Sequence, residues 1–99
     1  MSQESFIRYV GEADFHDGVI VGVEHRGSTF VVILRGASGR EYTVMFKDVQ
    51  SVKMNRPEGM MLYAISECPS QEHREFVFAN WDEENDSALE VIARCFEVT

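Results

Sequence analysis

The feature that most constrains this chain is a repeated switch to a period of two, interrupted by short glycine-containing turns. From Gly18 onward Val19, Val21 and Val23 alternate with Ile20, Gly22 and Glu24. After a turn at His25–Ser28, the run Thr29-Phe30-Val31-Val32-Ile33-Leu34 is apolar on both alternating faces. Gly36-Ala37-Ser38-Gly39 makes the next turn, and Tyr42, Val44 and Phe46 then alternate with Thr43, Met45 and Lys47. Alternation at 180° per residue signals strands, and a run that is apolar on both faces signals a central strand covered on two sides. Turns this short force neighbours in sequence to be neighbours in space, so the strands must run antiparallel.

The pattern continues past a less regular stretch. In Phe46-Lys47-Asp48-Val49-Gln50-Ser51-Val52 the apolar residues fall at 46, 49 and 52, which predicts a bulge or single turn. Asn55–Gly59 is the strongest loop signal. Met60–Ile65 reads as a fourth strand, broken at Cys68-Pro69, and Glu75–Asn80 as a fifth with Phe76 and Phe78 on one face. Residues 88–96 fit two patterns. Leu89, Val91, Ala93 and Cys95 alternate, whereas Leu89, Ile92, Ala93 and Phe96 have helical spacing behind a capping box at Ser87. Strand is favoured, because a hairpin partner for residues 75–80 would satisfy that strand's backbone groups. At the N-terminus, Ser2 can cap a short helix over residues 3–10, with Phe6, Ile7 and Val10 on its apolar face and Gly11 as its stop. The expected fold is mainly β: five or six antiparallel strands in a twisted sheet or partly closed barrel, with a short N-terminal helix. At 99 residues the chain is expected to form a single domain spanning 1–99.

Composition narrows the function classes. The formal net charge of −8 disfavours binding to phosphate backbones and to anionic membrane surfaces, while leaving a basic protein partner compatible. No apolar run approaches the roughly 20 residues of a membrane-spanning helix. The first residues lack the basic and apolar regions of a secretory signal, so a cytoplasmic location is the expectation. Two cysteines, Cys68 and Cys95, are too few for a disulfide scaffold and are expected to be thiols.

Few residues point to chemistry. His16-Asp17 could be a metal site, a catalytic dyad or the lead-in to a strand. A His-Asp doublet marks a class of metal-dependent phosphohydrolases, but there it lies in a helical domain among further ligands. Here only His25 and His73 remain, both at predicted turns, and nothing in the spacing makes three or four ligands converge. The favoured reading is structural, with Asp17-Gly18 as a turn into the strand. Asp82-Glu83-Glu84-Asn85-Asp86 fails the calcium-loop pattern. Counted from Asp82, the positions that need Gly and Glu hold Ser87 and Ala93. It reads as a solvated hairpin tip or an acidic patch for a basic partner. No GxSxG, HExxH or phosphate-binding GxxxxGK[ST] pattern occurs, and Gly36–Gly39 joins two strands where a nucleophile elbow needs strand then helix. No metal, cofactor or catalytic residue is therefore expected. Met54, Met60, Met61 and Tyr63 lie close together, with Trp81 further on; Met60 and Met61 face opposite sides of a strand, so at least one is expected to be exposed.

Phe15-His16-Asp17 before an alternating strand, together with Phe46–Val52, resembles segments of small uncharacterised bacterial β-rich families. Some of these are regarded as immunity proteins that bind and block a toxin. The resemblance implies a β-rich domain without assigned catalytic residues. The leading expectation is a non-enzymatic protein-binding or assembly domain that forms a homodimer. A toxin-neutralising immunity protein is the first alternative, and a small enzyme using His16 and Asp17 the second. The candidate interaction surface comprises His16, Asp17, Met60, Met61, Tyr63, Trp81, Asp82, Glu83 and Glu84.

Overall fold

A computed structural model describes residues 8–69, 73–81 and 87–99. Nine strands form one antiparallel sheet: β1 (Arg8–Val10), β2 (Gly18–Arg26), β3 (Thr29–Arg35), β4 (Glu41–Lys47), β5 (Ser51–Asn55), β6 (Met61–Pro69), β7 (Arg74–Asn80), β8 (Ala88–Ala93) and β9 (Cys95–Val98). A single 3-10 turn, Ala13–Phe15, lies between β1 and β2. The hydrogen-bonded order is β5-β8-β7-β6-β2-β3-β4-β9, with β1 added to β6 beside β2. The ladder is open, ending on β5 and β9.

The sheet is strongly curled. β7 and β4 are four places apart in this order. In a flat sheet, at about 4.8 Å per strand, they would be roughly 19 Å apart. Instead the ring of Phe46 on β4 lies 4.9 Å from Phe76 and 5.9 Å from Phe78, both on β7. Phe96 on β9 stacks on Phe76 at 5.0 Å. The curl is set by two bends that lie side by side. β4 turns into β5 at Asp48, whose φ is 54°, and β8 turns into β9 at Arg94. Backbone bonds from Gln50 N–H to Ile92 O and from Arg94 N–H to Lys47 O continue the pairing across both bends. The irregular Phe46–Val52 segment is thus a corner followed by the strand β5.

Inside the curl lie Ile20, Phe30, Val32, Leu34, Val44, Phe46, Leu62, Ile65, Phe76, Phe78, Leu89 and Val91, all buried. The alternation of β3 and β4 places Phe30, Val32 and Leu34, and Tyr42, Val44 and Phe46, on the inner face. The outer residues of β3 are only half-buried, so this strand is covered fully on one side. In β2 a bulge at Val21 shifts the register: Ile20 pairs with Leu34, but Gly22 with Ile33. Before the bulge even-numbered residues point inward; after it Val23 packs on the core.

The strand count exceeds the five or six expected, and two further expectations are corrected. Arg8–Val10 is a strand paired with Ile65–Glu67, not the end of a helix. A helix of eight residues has little stability of its own, whereas an edge of β6 offers hydrogen bonds at once. The remainder of that expected helix lies outside the described residues. β6 runs through Cys68 to Pro69, beyond the expected break. At residues 88–96 the favoured strand reading holds, as two strands broken at Arg94, and the helical spacing there is coincidental. Strand pairing with both β5 and β7 outweighs the capping signal.

Among the described residues one charged side chain is buried. Glu67 faces inward opposite Phe76 and is only 2% exposed. Arg74 meets it with a two-pronged bond, Nε–H to Oε2 at 2.6 Å and Nη2–H to Oε1 at 2.8 Å, and its guanidinium lies 5.1 Å from the Phe76 ring. The Glu67 carboxylate holds the Arg74 guanidinium even more firmly protonated than usual. Both cysteines are free thiols, Cys95 exposed and Cys68 half-buried.

Arg74→Met should leave the Glu67 carboxylate buried without this partner and cost about 3 kcal/mol in urea unfolding. Adding Glu67→Met should return stability to within about 1 kcal/mol of wild type, because a paired apolar replacement is close to neutral. In the native protein, iodoacetamide should modify Cys95 first and Cys68 only slowly. After denaturation without reductant, mass spectrometry should find both alkylated.

Candidate functional site

The site arises where the ladder along one edge of β6 is interrupted. β1 pairs with β6 over Ile65–Glu67, and β2 pairs with it at Met61 and Leu62. Between them the chain leaves the sheet as the segment 11–17, opposite Tyr63 and Ala64. Gly11, at φ +92°, starts the excursion; a Cβ there would overlap the Phe15 ring. Phe15 plugs into the core and meets Tyr42 edge to face at 5.1 Å. Asp17 ends the excursion at φ 70°, a left-handed backbone that Asp tolerates better than most residues, and its N–H bonds to Leu62 O.

Asp14 fixes this segment to the turn between β3 and β4. Its Oδ1 accepts from Ser38 N–H at 3.0 Å, and its Oδ2 accepts from Ser38 Oγ–H at 2.7 Å and from the Tyr42 hydroxyl at 3.0 Å. Ala37 N–H bonds to the Asp14 carbonyl. Gly36 lies so close that a Cβ would overlap the carboxylate. The Ser38 hydroxyl is the main cause holding the Asp14 carboxyl below the usual carboxylate range, against the opposing effect of burial. Burial and the Asp14 bond together push the Tyr42 hydroxyl up. With three donors engaged, Asp14 is an anchor.

That anchor leaves His16 facing outward. His16 Nδ1 lies 3.0 Å from the Tyr63 carbonyl oxygen. A carbonyl only accepts, so Nδ1 carries the proton, and in the neutral ring Nε2 presents its lone pair. The Asp17 carboxylate stands 4.0 Å from Nε2. The imidazole lies 5.1 Å from the Tyr63 ring and 5.6 Å from Trp81, and Tyr63 and Trp81 meet edge to face at 5.4 Å. Trp81 is held by its N–H to Met61 O. Tyr63 is the extra residue of a second bulge, since Leu62 pairs with Asn80 but Ala64 with Ala79. Bulges re-aim side chains, and the two extra residues here, Val21 and Tyr63, are both exposed apolar side chains. Beside His16 and Tyr63 lies a cleft of about 320 Å³, lined also by Val10, Glu12, Phe15 and Ile65 among others.

Of the candidate residues, His16, Tyr63 and Trp81 come together as one aromatic platform, with Asp17 beside it. Met61 is half-exposed on the same strand. Met60 is only 3% exposed and belongs to the core, because alternation turns it inward. Asp82, Glu83 and Glu84 lie outside the described residues. Glu12 and Val21 were not signalled by the sequence; their placement depends on the excursion and the bulge. Among the described residues no group of three or more His, Cys, Asp or Glu could hold a metal ion. No helix among them is long and apolar enough to cross a membrane. The chain matches no protein-family model, no curated protein and no solved structure.

Because the folded-state value of Asp14 is depressed, its stabilising effect is complete above the unfolded value of about 3.9 and is lost as pH falls through the lower folded value. Asp14→Asn should therefore lower Tm most at neutral pH, and the gap to wild type should narrow as the pH drops below about 4. Gly36→Ala should produce a similar loss by displacing the carboxylate. Thermal unfolding across this pH range checks both, and a gap that widens in acid would contradict the assignment.

Proposed function

We propose that this is a non-enzymatic protein-binding domain whose recognition surface is the platform of His16, Tyr63 and Trp81 with Met61 beside it. The observation that carries this reading is the contact of three rings that are not consumed by the core: Tyr63 stays 38% exposed and Trp81 44%. Soluble proteins rarely leave grouped large apolar side chains in water without use, and aromatic residues and Met are enriched at interfaces. A toxin-neutralising immunity protein is one form this function would take.

A small enzyme using His16 is the second reading. It is favoured by the outward-facing imidazole beside Asp17 and by the presence of Glu12 and Tyr63 in the same cleft. Among the described residues no Ser, Thr or Cys nucleophile lines the cleft.

A photo-reactive amino acid placed at position 81 in cells of the source organism should give a discrete crosslinked adduct. The same group at Glu97, on β9, should give none. Crosslinking that is equal at the two positions, or absent from both, would sink the binding reading.

A further inference from the structure

We infer that the platform takes a basic protein segment, an arginine placed over the rings with an apolar residue beside it in the cleft. This rests on the protein-binding reading above and names the chemistry of its partner.

The spacing of the rings decides how a ligand can lie. Centroid separations of 5.1 to 5.6 Å mean that His16, Tyr63 and Trp81 already touch one another. No group fits between them, so they do not form a cage for a compact ammonium. A ligand must lie across their outer surfaces. A guanidinium is planar, stacks on aromatic faces and is more weakly hydrated than an ammonium, so it suits a surface of this kind better than lysine does.

Charge agrees with the geometry. Asp17 flanks His16, and Glu12 lines the cleft that His16 and Tyr63 share with the platform. No Lys or Arg lines that cleft among the described residues. The long-range field points the same way, because a chain of net charge −8 draws a cationic partner and repels an anionic one. A second copy of this chain is the less suitable occupant. A two-fold contact sets the same patch against itself, bringing Asp17 and Glu12 of one copy towards those of the other. The cleft supplies the remaining specificity: Val10, Phe15 and Ile65 in its wall are apolar, so an aliphatic side chain next to the arginine would be received there.

The chain has one tryptophan, Trp81, so its fluorescence reports on the platform alone. The probe is an unstructured nine-residue peptide with three arginines and two leucines, titrated into the whole protein. Emission should change saturably, and the apparent Kd should rise with added salt. Replacing the arginines by lysines should weaken binding about threefold. Tyr63→Ala should weaken it about tenfold. Glu12→Gln with Asp17→Asn, which leaves the rings in place, should weaken it about fivefold and decides the matter if the Tyr63 variant does not fold. Glu97→Gln should have no effect. An unchanged emission, or an equal response to a peptide with glutamates in place of the arginines, overturns the inference. So does a mass that doubles with concentration while Trp81 emission shifts without peptide, since a second copy would then cover the platform. If crosslinking at position 81 succeeds where the titration fails, the partner is not basic; if both fail, the binding reading itself is wrong.

Discussion

The packing of Phe46 against Phe76 and Phe78 is the contact on which the rest of this structure depends. These residues belong to strands four places apart in the ladder, and they touch only because the sheet curls over. A single flat antiparallel sheet of this length would leave one whole face of large apolar side chains in water. Curling turns that face inward, so the sheet supplies both walls of its own core. The two bends at Asp48 and Arg94 lie next to each other because β4–β5 and β8–β9 are paired through both halves. Bending one without the other would break that pairing.

The curl also explains why a buried ion pair is tolerated. Glu67 lies on the inner face, one alternation beyond Ile65, where the apolar lining gives way to Arg74, whose guanidinium lies over the Phe76 ring. Arg74 is about one-third exposed, so one member of the pair keeps contact with solvent while the other is fully enclosed. The cost of desolvation then falls mainly on the carboxylate, which receives two charge-assisted bonds in return.

Much of the fold was legible in the sequence because period two is a local signal. Phe30, Val32, Leu34, Tyr42, Val44, Phe46, Phe76 and Phe78 are buried as their alternation requires. The same rule places Glu67 inside with Ile65, an inference available from residues 65 and 67 alone. What could not be read depends on contacts between distant segments. Arg8–Val10 is extended because β6 has an unpaired edge, and no property of those three residues says so. The bulge at Val21 is marked only by the neighbouring Gly22, and the bulge at Tyr63 leaves no glycine mark at all. Candidate surface residues separated according to the same distinction: alternation sorts Met60 inward and Met61 outward, but the meeting of His16 with Tyr63 and Trp81 needs the excursion, the second bulge and the Asp14 anchor together.

Folding alone does not account for the aromatic side chains of the platform. Tyr63 and Met61 point away from the core, and bringing them inside would require β6 to slip by one residue. That slip would turn Leu62, Ile65 and Phe76's neighbour Glu67 outward, exchanging two side chains for a whole buried row. The fold therefore fixes them on the surface, but it does not require them to be large or aromatic. A serine at 63 or 81 would satisfy the same backbone bonds, including Trp81 N–H to Met61 O. His16 is in the same position: Phe15 and Asp14 set the shape of the excursion, and the imidazole adds one bond to a carbonyl that water could reach. Three aromatic side chains thus converge at a place where the sheet asks for none: His16 on the anchored excursion, Tyr63 in β6 and Trp81 directly after β7. The Asp14 anchor and the β6–β7 pairing hold these rings in a fixed geometry, which is the condition under which exposed apolar area would contribute most to the binding proposed above.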